Sequence, residues 1–454
     1  MKLKMFLIIS GFFIFFSFLN SYADILPAKT EDKVKLITIC QGIEMTLKNN
    51  HLIKIALPAN EMAYQDSLIA RSALLPNLNL TASKEYFRYK PASKIDGSTV
   101  PTAEKDPYSF GVDVYQTLFD FGKSLSNFRA SKDLHKATKA HTETVKRIAT
   151  LEFITAYFNL LETEKMIAVF EKEVESLSSY LDDIQHLYEQ GVVVKNDLLP
   201  AKVKLADAKQ KLITAQNEKE ISQARLNNIL ALPLRENTQP QDIQMQTPKL
   251  PDMEIAWTTA QNQRPEVTFY ADQISASKST ERAKAVENFP VVFLDGGYSY
   301  TENRYQSHEG NSSVELGAKM NFYDGGAARA ELFKERSRQK QLNEQKNKII
   351  DDIQFEVEDS YYGLKNACEK VFVAKDALEQ ADENVRAYRV KYTAGSATST
   401  DVLEAITLQT RAEVNYYSAD YELKRNYAKL EYSIGMDLRL IYEKMESEKN
   451  ESKQ

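Results

Sequence analysis

Few residues in this chain have the types and spacing that chemistry needs. The five histidines are scattered, and His135 and His141, six apart, do not share a helix face. No spacing of His, Cys, Asp or Glu matches a metal site, so neither a metal nor another cofactor is expected. No glycine-rich phosphate loop is present. No nucleophile is found with a base to serve it, so no catalytic residue is assigned and an envelope hydrolase lacks its machinery. Acidic pairs such as Asp182–Asp183 and Asp351–Asp352 lie in charged stretches and read as solvated helix faces. Cys40 and Cys368 are too few for a disulfide framework. In an oxidising compartment they could pair, and the sequence leaves that open.

What does recur is a turn. "YEQGVVVKNDLLPA" from Tyr188 and "YTAGSATSTDVLEA" from Tyr392 share one pattern, 204 residues apart. Each has Gly three residues after Tyr and Asp six after that. Gly191 and Gly395 suit the left-handed residue that stops a helix. Asp197 and Asp401 are placed to cap a returning helix by accepting from its free N–H groups. Pro200 then falls in the first turn, where its missing N–H does little harm. Each motif reads as the tip of an αα-hairpin. Asp401 and Glu404 lie at i and i+3, so both carboxylates can share one face.

Such tips need long helices behind them. Neither Pro nor Gly interrupts residues 123–188, and only Gly363 interrupts 327–392. At 1.5 Å per residue, about 65 residues make a rod of roughly 100 Å. Apolar residues step by three and four along both rods. One seam runs Ile167, Phe170, Val174, Leu177, Leu181, Ile184, Tyr188; the other includes Ile353, Val357, Leu364, Val371, Leu378 and Val385. That 3.5-residue repeat demands partner helices in coiled-coil packing.

The remaining landmarks repeat in the same order. "LFDFG" at 118–122 matches "FYDGG" at 322–326, and "LLPNLNLTASKEY" matches "NFPVVFLDGGYSY". Each copy predicts a helix (40–72, then 255–287), two strands, a very long helix and a return helix. The strands show strict alternation, as in "SVELGAKMNFYD" and "YSFGVDVYQTLFD". Their length of about ten residues suits tilted membrane strands better than an ordinary half-buried sheet. The expected division is 24–234 for the first repeat, 235–254 for a Pro- and Gln-rich linker and 255–435 for the second repeat. A terminal segment, 436–454, ends in a charged tail expected to be disordered.

Residues 1–23 read as a secretory signal: basic "MKLK", an apolar run of 14 residues, then "SYA" before Asp24. Without its two lysines the net charge moves from −6 to −8, which argues against nucleic acid. Four strands cannot close a barrel, and open edges are not tolerated in lipid. Several chains must therefore share one barrel: two copies would give a lumen filled by side chains, three a pore.

At this point the residues carry a resemblance. "RSALLPNLNL", "YQTLFDFG", "ATLEFITAYFNLLE", the two Gly-x5-Asp tips and "DVLEA" resemble, in order, the landmarks of the TolC family of outer-membrane export channels. The likeness spans nearly the whole chain after the signal. It implies a mainly α fold with a small β part: a homotrimer sharing a 12-stranded β-barrel, continued by a coiled-coil α-helical barrel in the periplasm of a Gram-negative bacterium. Segments 235–254 and 436 onward would form a belt around that tunnel. The resemblance further implies an exit duct for efflux or type I secretion of drugs or proteins. Its partners would be outer-membrane lipid, a periplasmic adaptor (membrane fusion) protein and an inner-membrane transporter.

The same resemblance implies a periplasmic gate. Asp401 and Glu404 would ring the constriction, favouring cations and binding divalent ions, and Tyr392 with Asp197 would hold the tips closed. Gly191 and Gly395 would shape the adaptor-docking tips. The family's latching arginine is absent; Ala397 stands there. Asp197 and Asp401 could equally be helix caps alone. The competing architecture is a periplasmic coiled-coil adaptor or scaffold without a pore, which normally carries one hairpin and lipoyl-like β-domains.

Overall fold

The computed structural model describes residues 35–245 and 247–451. The expected secretory signal lies outside the described residues. Strand β1 (Lys35–Ile37) leads into helices α1 (Ile39–Asn49) and α2 (His51–Ser72). Strand β2 (Asn77–Lys84), a small hairpin of β3 (Ala92–Ile95) and β4 (Ser98–Pro101), and strand β5 (Tyr108–Phe119) follow. Helix α3 (Lys123–Glu189) runs 67 residues, about 100 Å, and α4 (Lys195–Ile229) returns along it. After β6 (Thr238–Pro240) the order repeats with α5 (Met253–Gln263), α6 (Pro265–Ala285), β7 (Val291–Thr301) and β8 (Gly310–Lys319). The second rod, α7 (Ala327–Thr393), also has 67 residues and returns as α8 (Ser399–Ile434); α9 (Leu438–Glu451) ends the described chain.

The leading helix of each repeat is divided, contrary to the expectation of one helix each. Asn50 stops α1 in an extended conformation (ψ 132°), and its side chain accepts from Leu52 N–H at 2.9 Å to start α2. In the second repeat Pro265 has no N–H to continue α5, so Arg264 turns extended and α6 begins anew.

The four long strands form one antiparallel sheet in the order β2-β5-β7-β8. Register separates its faces. Leu80, Val112 and Tyr298 align on one face, and Leu78, Val114 and Val314 align one row away. The other face carries Asn79, Asp113, Ser299, Asp295 and Glu315, with Asn79 donating to the Asp113 carboxylate at 2.8 Å. Strand β8 stops at Lys319, short of the alternating run that continues to Asp324. The repeated "DFG" and "DGG" are strand-to-helix elbows. Asp120 accepts from the N–H groups of Gly122 and Ser124 (3.1 and 2.7 Å), and Asp324 from those of Gly326 and Ala328 (2.9 and 2.8 Å). Gly122 and Gly326 sit at φ +81° and +89°, where a side chain would be strained.

Sheet order sets helix order. Near the sheet the helices lie side by side as α2, α3, α6, α7, each continuous with its own strand. Farther away α4 and α8 replace α2 and α6 as partners of the rods. Where the two sets change over, an aromatic core gathers Phe153, Tyr157, Phe158, Tyr421 and Tyr442 beneath α1 and α9. The segment expected as a plain linker contributes β6, which pairs in parallel with β1. The Tyr157 hydroxyl lies 2.6 Å from Gln241 O and 3.1 Å from Ile37 O, tying both segments to α3. Residues 445–451, in the tail expected to be disordered, continue helix α9, and the last three residues lie outside the described residues. Asp437 accepts from Arg439 N–H at 2.9 Å, and Leu438 and Tyr442 are buried in the same core. Cys40 and Cys368 are free thiols that pack against different cores, so they do not pair.

Candidate functional site at the hairpin tips

The two tips are built alike. Gly191 N–H reaches Tyr188 O at 3.0 Å and Val192 N–H reaches Leu187 O at 2.9 Å. In the second tip Gly395 N–H reaches Tyr392 O at 3.0 Å and Ser396 N–H reaches Lys391 O at 2.9 Å. Both glycines are left-handed, at φ +75° and +71°. Nothing lies within 4 Å of where a Cβ would stand, so backbone conformation alone requires glycine.

The return helices start differently from the expectation. Thr398, not Asp401, is the N-cap of α8. Its Oγ1 accepts from Asp401 N–H at 3.2 Å, while the Asp401 carboxylate accepts from Thr398 N–H at 2.8 Å. That reciprocal pair is a capping box with Asp in the third helical position. In the first tip Val194 occupies the cap position and offers no acceptor; the Asp197 carboxylate reaches back to Val194 N–H at 3.3 Å. Pro200 lies in the second turn of α4, not the first. The Thr398 hydroxyl, which donates to Asp401 at 2.7 Å, and then the backbone N–H hold the Asp401 carboxyl below its ordinary range.

Asp401 and Glu404 are one turn apart on α8, but their environments differ. Asp401 is turned onto Thr398, whereas Glu404 is exposed and lines an open groove of about 770 Å³ between α4 and α8. Leu199, Pro200, Val203, Leu403 and Leu408 give that groove an apolar floor, with Arg411 beside them. Beneath the tips Leu177, Ile184, Leu198, Val385 and Val402 form a core joined by small residues, Ala201, Ala208 and Ala405.

Within the chain, Tyr392 and Asp197, expected as a pair that holds the tips closed, do not hydrogen-bond to each other. The Tyr392 hydroxyl is buried and has no hydrogen-bond partner. Burial pushes its pKa up, the Tyr180 hydroxyl beside it works the other way, and the nearby Asp197 and Asp183 carboxylates add smaller upward pushes. The residue that bridges the hairpins is Tyr180 on α3. Its ring meets Tyr392 edge-on with centroids 5.7 Å apart, and its hydroxyl donates to Ser399 O, the first residue of α8, at 3.1 Å. Ser399 Oγ in turn lies 3.4 Å from the main-chain oxygen of Asp197. Lys172 to Glu413 (2.7 Å) and Arg389 to Ser176 (2.6 Å) add two polar links between the hairpins. Tyr180 lies one residue from Leu181 and off the 3.5-residue seam. Because α3 packs on both α4 and α8, its apolar face is wider than one seam; the sequence shows only a Tyr beside that seam, not what it bonds to.

Among the described residues no group of three or more His, Cys, Asp or Glu could hold a metal ion, and no helix is long and apolar enough to cross a membrane. The family model "Outer membrane efflux protein" matches residues 42–232 and 257–436, one block in each half of the chain. Outer membrane protein TolC of Escherichia coli (strain K12) is 22% identical over 409 residues, covering 86% of this chain and 80% of that protein. Alkaline protease secretion protein AprF of Pseudomonas aeruginosa is 20% identical over 419 residues, covering 89% and 86%. Among solved structures, the outer-membrane channel OprN superposes with a TM-score of 0.78 at 20% identity, covering 88% of this chain and 90% of its own. The Campylobacter jejuni CmeC outer membrane channel gives 0.78 at 16% identity, covering 87% and 85%. A pore-less periplasmic adaptor does not fit two hairpins on one membrane-length sheet. Both halves of the sequence and the sheet-and-rod architecture agree: the chain belongs to the outer membrane efflux protein family.

Proposed function

We propose that three copies of this chain close one barrel and form the outer-membrane exit duct of an efflux or type I secretion system. The observation that carries a barrel shared between copies is the pair of open edges, and three copies rather than two are proposed because twelve strands leave a pore. Strands β2 and β8 each pair on one side only, and lipid does not tolerate an unpaired edge. The helical layer is open at the same two sides. On α2, Ile55, Met62 and Ile69 repeat every seven residues and are 69%, 63% and 68% exposed; on α7, Phe355 and Tyr362 are 73% and 55% exposed. Such stripes suit a second copy of the chain. The apolar sheet face then meets lipid, the polar face lines the lumen, and the rods extend into the periplasm.

In this assembly the tips converge at the inner mouth. Asp401 and Glu404 from each copy supply its negative charge, and Gly191 and Gly395 shape the turns offered to a periplasmic adaptor and its inner-membrane transporter. Tyr392 and Asp197 belong to the closed tip, with Tyr180 making the hydrogen bond between hairpins. The two repeats are the domains of the chain, with 235–254 and α9 in the belt. No catalytic role is assigned. Native mass measurement in detergent tests the reading: three chains per particle are expected, and a stable monomer with a folded sheet would overturn it. Resistance to alkaline extraction from membranes should accompany the trimer.

A further inference from the structure

The outer end of the sheet carries a feature that the duct itself does not use. On the apolar face the rows run Leu294–Leu316, then Leu78–Val114, Leu80–Val112–Tyr298 and Ala82–Phe110–Tyr300, and end at Lys84–Tyr108. From Gln116, paired with Leu294, to Tyr108 is eight residues, about 26 Å along the strand. At a tilt of about 40° that is roughly 20 Å of membrane, close to the height of a barrel's apolar band. Lys84 and Tyr108 therefore stand on the lipid side at head-group depth, above the aromatic residues Phe110, Tyr298 and Tyr300.

The ribbon continues beyond them. Glu85 N–H reaches Pro107 O at 3.2 Å and Phe87 N–H reaches Lys105 O at 2.8 Å. Past Lys84 the segment is no longer regular strand, and the contact of Lys105 with Tyr86, rather than alternation, brings these two side chains together. Lys84 Nζ lies 4.1 Å from the Tyr108 ring centroid, Lys105 Nζ 5.2 Å from Tyr86, and Arg88 Cζ 5.4 Å from Tyr89. Lys84 also donates to the Tyr108 hydroxyl at 3.0 Å, while Lys105 and Arg88 lie beside aromatic rings. Among the described residues Lys84, Arg88 and Lys105 form no ion pair, whereas neighbouring Lys90 and Arg304 share Glu104. Asp106 and Glu302 lie near Lys84 without pairing to it, so local placement rather than net charge is what the rim offers.

We propose that this rim binds the phosphorylated glucosamine head group of an outer-leaflet glycolipid of the lipid A class. Cations mounted on tyrosines at head-group depth, directly above an apolar band, match a ligand with phosphates on a sugar and acyl chains below. The tyrosine faces stack on the sugar while Lys84, Arg88 and Lys105 take the phosphates. The proposal rests on the outer-membrane trimer, because only there does this row face the outer leaflet.

The test uses the full-length protein, purified in detergent, with lipid binding read by native mass spectrometry. Bisphosphorylated lipid A should bind more tightly than its monophosphoryl form, and both more tightly than phosphatidylcholine. Inorganic phosphate in excess should not displace it, since the acyl chains share the site. The triple variant Lys84→Gln, Arg88→Gln, Lys105→Gln should lose at least tenfold in lipid A affinity and keep parental conductance in planar bilayers. Equal binding of bisphosphorylated lipid A to variant and parent, or of lipids with and without phosphate to the parent, would overturn the proposal. Should the variant not assemble, the lipid series on the parent decides alone. Failure of the parent to form channels would instead refute the duct reading, so the two failures are distinguishable.

Discussion

Tyr180 and Tyr392 touch ring to ring, yet removing their hydroxyls should have different effects. Tyr180→Phe deletes the bond to Ser399 O and leaves no acceptor orphaned, because that carbonyl also accepts its own helical bond. The net loss is about 1 kcal/mol per copy. If the three copies of the proposed trimer open together, the closed state loses about 3 kcal/mol, shifting the equilibrium roughly 150-fold; independent opening gives about fivefold per copy. Tyr392→Phe instead removes a buried hydroxyl that makes no well-formed hydrogen bond and has only the Tyr180 hydroxyl beside it, so the tip should stay about as closed as before. Single-channel recording in planar bilayers reads both. Tyr180→Phe should raise conductance or open probability, and Tyr392→Phe should not. The resemblance to the TolC family implies the reverse for Tyr392, through a bond to Asp197. An open Tyr392→Phe channel beside a closed Tyr180→Phe channel would refute the assignment made from these distances.

The double change Asp401→Ala, Glu404→Ala should reduce cation selectivity and weaken divalent block in the same recordings; unchanged selectivity would remove both residues from the mouth. Asp401 has its carboxyl held below the ordinary range, so its contribution to the α8 start is present above that range and lost only as pH falls through the depressed value. Thr398→Ala should therefore move the acid loosening of the tip, followed by limited proteolysis, to higher pH. Gly191→Val or Gly395→Val forces a branched residue to positive φ at about 1–2 kcal/mol per site and should impair adaptor binding while the trimer still inserts. Against the aromatic core, a Cβ at Gly42 would lie 2.0 Å from Phe153 Cζ, so Gly42→Ala should cost about 1–3 kcal/mol and lower the unfolding temperature. An unchanged Tm would mean that α1 can lift away freely.

The parts legible in the sequence are those set by local periodicity. Glycine at a left-handed tip, alternation in β5 and β7, and a seam with every position from Ile353 to Val385 at least half-buried all follow from rules acting over a few residues. Single residues that act against the pattern were harder to read. Asn50 divides a good helical stretch because its side chain caps the next helix and its amide donates to Ile229 O, 179 residues away. α9 looks too charged to fold, but Leu438 and Tyr442 find a core assembled from α1, α3 and α8. At the tip, the T-x-x-D spacing of Thr398 and Asp401 was readable as a capping box. The bond from Tyr180 to Ser399 joins residues 219 apart, and no local pattern signals it.

The distribution of packing along the rods favours movement at one end. The core where the two helix sets change over buries Phe153, Tyr157, Phe158, Tyr421 and Tyr442 almost completely, and segments far apart in sequence meet there. Arg264, 5% exposed, adds ion pairs to Glu266 and Glu356 and lies over the Tyr432 ring at 4.7 Å, fixing the α5–α6 break against α7 and α8. Losing either carboxylate there would leave a buried charge short of partners, a costly state. At the tips, α3 meets α8 across a smaller core, Leu177, Tyr180 and Ile184 against Val402, Ala405 and Ile406, with a few exposed polar links that are each worth about 1 kcal/mol or less. A force on the tips would therefore separate the hairpins there before it disturbed the larger core. α8 would swing from its buried C-terminal end, where Arg147 donates to Gly435 O at 2.8 Å, and widen the mouth while sheet and larger core hold their order.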